Sequence, residues 1–232
     1  MKKMALSCAA YLSIAILATP VLAQIPAAQI KPYKAKILLS LPRINSVSQE
    51  FYTLAINLVV TGVNFPAKTS GEKYRAVRLA STEGGYEFLA SGNRTWSATR
   101  IEDFLSFNTI AGRKYKIGLV EYNPAAPANK TLLSNEVEYL LLMNLDHVVP
   151  HPVPAGVTTV EVYTANELGP QGSKKVKLGS HQAQVEQWGG GNPWGGRFIL
   201  RIPPNLARPG SYELFVEENG IPVSRKIQVQ LQ

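Results

Sequence analysis

The sequence predicts an all-β chain: two tandem antiparallel β-sandwiches behind an N-terminal signal peptide. Three observations lead there. Apolar and polar residues alternate with a period of two, motifs of the first half return in the second in the same order, and no segment after residue 23 sustains a helical period over three turns.

Lys2 and Lys3 precede an apolar run from Ala5 to Leu17, and Val21-Leu22-Ala23 closes on a small residue before Gln24. A basic start, an apolar middle and a small-residue end make residues 1–23 a secretory signal. The run is too short for a permanent anchor. The expected location is therefore the periplasm, the outer surface or the extracellular space, with no integral membrane span.

Cleavage removes Cys8, the only cysteine, together with Lys2 and Lys3, so the net charge falls from +8 to +6. The remaining chain of about 209 residues has no disulfide or thiolate metal site and must hold itself by burial. Its mildly basic surface is expected to meet protein or polysaccharide at the cell exterior; export argues against nucleic acid. Asp103 and Asp146 are the only aspartates, which disfavours a calcium cluster.

The strands read directly from the alternation. Leu54, Ile56, Leu58 and Val60 share one face, as do Tyr115, Ile117 and Leu119. Phe198, Leu200 and Ile202 alternate with Arg197, Ile199 and Arg201. Tyr212, Leu214 and Val216 alternate with Glu213, Phe215 and Glu217, and Ile227, Val229 and Leu231 with glutamines and Lys226. Each set gives an apolar row for a core and a polar row for water. Asn219-Gly220, whose residues accept positive φ, marks a hairpin turn.

The halves match near their ends. Ile101-x-Asp103-x-Leu105 leads to Tyr115 over the same 14 residues that separate Phe198-x-Leu200-x-Ile202 from Tyr212. Ser134-x-x-Val137-x-Tyr139 closes the first half and Ser224-x-x-Ile227-x-Val229 the second. The segment Asn123 to Pro127 reads as a loop inserted into the first half. Three prolines within Pro150–Pro154 read as a stiff connector. The expected division is a first sandwich over 33–145, a linker over 146–154 and a second sandwich over 155–232.

Leu41-Pro42-Arg43-Ile44-Asn45-Ser46-Val47, followed by Val60-Thr61-Gly62-Val63-Asn64-Phe65, resembles the opening of an IPT/TIG domain. Gly112 to Tyr115 and Gly210-Ser211-Tyr212 resemble that family's late strand, and Val176 to Gly179 with Ala183 to Val185 its middle strands. The early strand around Val160 to Tyr163 lacks the Gly-x-Asn-Phe signature. The resemblance implies two tandem immunoglobulin-like domains in an exported bacterial protein. Such modules are commonly adhesive, spacing or glycan-associated.

Residues for catalysis are hard to assemble. There is no Gly-x-Ser-x-Gly elbow, and His147, His151 and His181 have no evident oriented acid. Asp146, His147 and His151 surround Pro150 and do not make a preset metal site. Glu102 and Asp103 point to opposite faces of a strand, so they cannot face each other as a glycosidase pair; both are expected in solvent. Lys114 with Lys116 and Lys175 with Lys177 are expected to protect sheet edges. Gly189 to Gly196 is a glycine-rich hairpin tip flanked and interrupted by Trp188 and Trp194, the two candidate ligand-binding residues; their rings could face sugars or anchor a partner. Trp96 has a similar setting. No catalytic residue, metal or cofactor is expected. The leading reading is a non-catalytic exported module for adhesion, spacing or assembly. The alternatives are a carbohydrate-binding protein using exposed tryptophans and a periplasmic pilus-type chaperone.

Overall fold

In the computed structural model, residues 41–232 are described, apart from 53–54, 70–72, 91–93, 106–108, 191–194 and 207–208. The signal-peptide reading and Trp194 lie outside the described residues. Pro42–Gln232 forms one compact unit.

Alternation becomes strand throughout. Among the described residues, the first sheet has the order β1 (Arg43–Tyr52), β2 (Ala55–Val63), β6 (Arg100–Leu105) and β5 (Thr95–Trp96). The second sheet runs β10 (Val137–Leu141), β8 (Arg113–Asn123), β3 (Tyr74–Ser81) and β4 (Glu87–Ala90), with β9 (Ala126–Leu132) also on β8. Ile56, Leu58, Val60, Ile101 and Leu105 from one sheet and Val77, Leu79, Tyr115, Ile117 and Leu119 from the other are buried in a common core. This is a two-sheet, immunoglobulin-like sandwich.

The second half repeats the pairing strand for strand. β11 (Leu145–Val149), β12 (Thr159–Thr164) and β16 (Gly196–Arg201) pair as β1, β2 and β6 do. β14 (Lys174–Leu178) and β17 (Gly210–Glu218) match β3 and β8, while β18 (Ile221–Pro222) and β19 (Ile227–Leu231) match β9 and β10. One strand, β15 (His181–Trp188), does the work of β4 and β5 together. Its start, His181 to Ala183, pairs with β14 and its end, from Gln184, with β16, so the strand changes sheet between Ala183 and Gln184; a bulge follows between Val185 and Gln187. The hairpin at Asn219-Gly220 forms with both residues at positive φ, 52° and 78°.

Small features repeat too. Tyr115 and Tyr212 stand opposite Tyr139 and Val229, their partners in matching registers. The Ser134 hydroxyl accepts from Leu119 N and donates to Asn135 O; the Ser224 hydroxyl accepts from Val216 N and donates to Arg225 O. Both serines are buried. Ser134→Ala and Ser224→Ala are each expected to leave a buried N–H unpaired and to cost about 1–3 kcal/mol in urea unfolding.

Three expectations change. Of the residues read as an inserted loop, Asn123 ends β8, Pro124 and Ala125 make the turn, and Ala126 and Pro127 start β9, the counterpart of β18. The Lys114/Lys116 and Lys175/Lys177 strands are not sheet edges: β8 lies between β3 and β10, and β14 between β15 and β17. Alternation shows which face of a strand meets water, not where the strand sits in sheet order. Lys177 and Lys174 instead pair across to Glu217 and Glu218 at 3.4 and 3.5 Å. Asp103 is not in solvent, as described below. The proline-rich segment 146–154 begins as β11, and Val153 then bonds to the end of the chain: its N–H donates to Gln230 O and its carbonyl accepts from Gln232 N.

Candidate functional site

Trp96 and Trp188 are held at equivalent places in the two halves. Trp96 stands opposite Ile101 on β6 and Trp188 opposite Phe198 on β16, which are matching positions. Each indole N–H donates to a carbonyl in the segment after the second strand of its sandwich, Trp96 to Pro66 O at 2.6 Å and Trp188 to Gly169 O at 2.8 Å. The Trp188 ring also stacks on Phe198, with centroids 5.1 Å apart and planes 21° apart. Both are half-buried against the core. Trp188→Ala is therefore expected to lower stability by about 2–4 kcal/mol, measured by thermal unfolding.

Asp103 sits where the second sandwich has Leu200. It stands across from Leu58, as Leu200 does from Val160, and so faces the core. It is 1 % exposed, and its Oδ2 has no hydrogen-bond partner. Burial pushes the carboxyl up to about 6, although the Lys68 charge and a bond from the Phe104 backbone pull the other way.

His147 is exposed. Its Nδ1 lies 2.8 Å from Asp146 Oδ2, and its ring stacks on Tyr163 at 4.8 Å with a 5° interplanar angle. Among the described residues no three or more His, Cys, Asp or Glu side chains gather as a metal site. Nor is any described helix long and apolar enough to cross a membrane. On the outer face of the first sheet, Tyr52 and Phe104 meet edge to face at 5.6 Å, and the Arg94 guanidinium lies 4.4 Å over the Phe104 ring. Reading the sequence missed this patch, because outward aromatic residues on different strands leave no local pattern.

The densest polar cluster lies between the two sandwiches and centres on Asn144, which is fully buried. Its Nδ2 donates to Tyr52 O at 2.7 Å and to Ala55 O at 3.0 Å, capping the end of the β1–β2 hairpin. Its Oδ1 accepts from Arg225 Nη1 at 3.3 Å, its backbone N–H donates to Asn166 Oδ1 at 3.4 Å, and its carbonyl accepts from Ala165 N at 2.9 Å. One amide thus joins both halves. Beside it, Met143 exchanges backbone bonds with Val223 and Arg225. Met143 also packs on Gly112, where an added Cβ would come within 3.0 Å of its side chain at a φ of +75°. The Arg225 guanidinium lies over the Phe51 ring. Finally, β7 (Ile110–Ala111) pairs in parallel with β13 (Glu167–Leu168), a backbone link across the junction.

Side chains also bridge the margin of the first sandwich between β1 and the β10 region. Asn135 Oδ1 accepts from Ile44 N and its Nδ2 donates to Ile44 O, imitating a strand partner. Gln49 does the same for Leu142, accepting from its N–H and donating to its carbonyl, and also accepts from Tyr139 OH.

No protein-family model matches the chain, and no curated protein matches it. Solved structures do. A Bacteroides ovatus surface protein, SGBP-B of a mixed-linkage glucan utilization locus, in complex with a mixed-linkage heptasaccharide, is 15 % identical over 68 % of this chain and 38 % of that one, with a TM-score of 0.29. The plexin A4 extracellular region is 10 % identical over 84 % of this chain and 28 % of that one, with a TM-score of 0.28. Domains 5–6 of the S-layer protein SbsC are 9 % identical over 82 % of this chain and 98 % of that one, with a TM-score of 0.26. The chain thus spans well under half the length of the first two.

Proposed function

We propose that this chain is an exported, non-catalytic structural and binding module, two IPT/TIG-like sandwiches that hold a set distance and angle at the cell exterior. The observation that carries this reading is the junction: the buried Asn144 and the β7–β13 pair tie the halves through hydrogen bonds, where a flexible tether would leave them free to turn. The domain division follows the repeat, with β11 counted in the second sandwich. The test is a distance distribution between spin labels on cysteines introduced at Lys116 and Lys175, in a chain that lacks Cys8. A single narrow distribution that broadens in Asn144→Ala is expected. A broad distribution in the unsubstituted chain would refute the rigid spacer.

A second reading, carbohydrate binding through Trp188 and Trp194, is supported by the way Phe198 and Gly169 hold the half-exposed Trp188 ring in one orientation. Under it, Trp188→Phe weakens binding to a glycan array at unchanged fold, and an array without any hit removes it. The pilus-chaperone reading needs an open strand-accepting cleft beside the first sandwich. The Gln49 and Asn135 amides occupy that margin, which favours the other two.

A further inference from the structure

Asn219-Gly220 is the only place in the chain where glycine follows asparagine. Glycine has no side chain to shield its backbone nitrogen, and ring closure between that nitrogen and the asparagine side chain is an intramolecular reaction helped by proximity. Every other asparagine precedes a residue with a side chain, or, at Asn123 and Asn192, a proline without an N–H.

The fold leaves this pair open. Asn219 and Gly220 are both exposed at the tip of the β17–β18 hairpin, at φ of 52° and 78°. A Cβ on Gly220 would meet nothing within 4 Å, so no neighbour crowds the turn. Among the described residues the Asn219 amide has no hydrogen-bond partner to hold it in place. Beyond the turn the hairpin is held by Ile221 and Pro222, both exposed, so the tip can open without disturbing the core. The contrast is Asn144, whose buried amide is fixed by Tyr52, Ala55 and Arg225.

The turn also lies close to the junction along the chain. Val223 N–H donates to Val216 O, and Val223 O accepts from Met143 N. Arg225 N–H donates to Met143 O, and the Arg225 guanidinium donates to Asn144. The strand reaches these partners in the register set by the two-residue turn, which pairs Glu218 with Ile221 and Glu217 with Pro222.

We propose that Asn219-Gly220 is a self-modifying site whose product loosens the bonds of Val223 and Arg225 to the junction. The Gly220 backbone nitrogen gives up its proton and bonds to Asn219 Cγ. The bond from Cγ to Nδ2 breaks, and Nδ2 takes up a proton and leaves as ammonia, so that a succinimide ring remains. Water then opens the ring. Cleavage between Cγ and the Gly220 nitrogen gives aspartate in the original main chain. Cleavage between the Asn219 α-carbonyl and that nitrogen gives isoaspartate, in which the main chain runs through Cγ. The reaction consumes water and needs no oxidant or reductant. Isoaspartate lengthens the main chain inside a two-residue turn, so Glu218 and Ile221 lose their pairing and the strand beyond them shifts.

The experiment is incubation of the exported chain in mildly alkaline buffer. Peptide mass spectrometry, methylation by an isoaspartyl methyltransferase and amide hydrogen exchange are read at each time point. The Asn219 peptide is expected to lose its amide with first-order kinetics, faster as pH rises and ahead of every other asparagine, with methyl acceptance growing in step. In the converted chain the Met143 and Arg225 amides should exchange faster than in the fresh one. Asn219→Gly keeps a turn of positive-φ residues but has no amide to lose. It should keep its mass, accept no methyl group and retain its exchange rates through the same incubation. Freshly prepared Asn219→Asp carries the acid in the original main chain and should exchange like the fresh parent. An Asn219 peptide that stays intact, conversion equally fast at other asparagines, or a converted chain with unchanged exchange at Met143 and Arg225 overturns the proposal.

Discussion

Replacing Asn144 by alanine is expected to cost about 3 kcal/mol and to loosen the two sandwiches from each other. The side chain donates to two backbone carbonyls and accepts from Arg225, and Asn144 itself is fully buried. Leaving a buried polar group unpaired costs about 1–3 kcal/mol, and two carbonyls and a guanidinium lose a partner together. Unfolding followed by urea should change character: one transition in the parent chain, separating into two in the variant as the halves lose their shared contacts. Asn144→Asp should be at least as damaging, because a carboxylate cannot donate to Tyr52 and Ala55. A single transition at an unchanged midpoint in Asn144→Ala would show that the amide does not couple the halves.

Asp103→Leu is expected to do the opposite and stabilise the protein at neutral pH. The substitution copies Leu200, its counterpart in the second sandwich. Burial raises the Asp103 carboxyl from 3.8 to about 6, so between those values the folded chain holds a proton that the unfolded chain has released. Stability at this site is therefore lost as pH rises toward about 6 and stays lost above it. The shift corresponds to about 3 kcal/mol at pH 7. Acidification from pH 7 to pH 4 should recover most of that amount in the parent and none of it in Asp103→Leu. The surface carboxylates Glu50, Glu87, Glu121 and Glu161 have lowered pKa values and favour folding at higher pH, so the comparison must be made between parent and variant at each pH. Equal pH slopes in the two proteins would refute the assignment.

Much of the architecture is legible in the residues. The alternation around Leu58, Ile117, Phe198, Leu214 and Val229 places each strand and its inward face, and the matched spacing to Tyr115 and Tyr212 announces a topology that the pairings then repeat. Asp103 was legible too, since it falls on the inward row with Ile101 and Leu105; expecting an acid in water overrode the period. Other features were hidden by distance. Trp96 precedes its partner Ile101 by five residues, whereas ten separate Trp188 from Phe198, because the glycine-rich loop intervenes. Their equivalence therefore shows only in the sheet. Asn144 leaves one sign, a lone amide in Leu140-Leu141-Leu142-Met143-Asn144-Leu145, and nothing local says that its partners are some ninety positions away. The two-residue β7–β13 link is too short for any pattern.

The terminal strands of each sandwich run side by side in the same direction: β1 is bound near β10 through Asn135 and Gln49, and the β11 side meets β19 through Val153, Gln230 and Gln232. A pull applied to the two ends of the polypeptide slides these neighbours past one another, so their bonds must yield together rather than unzip one at a time. Tension along the chain axis is thus the direction in which each sandwich is mechanically strongest, and rupture under force is governed by that unfolding barrier rather than by equilibrium stability.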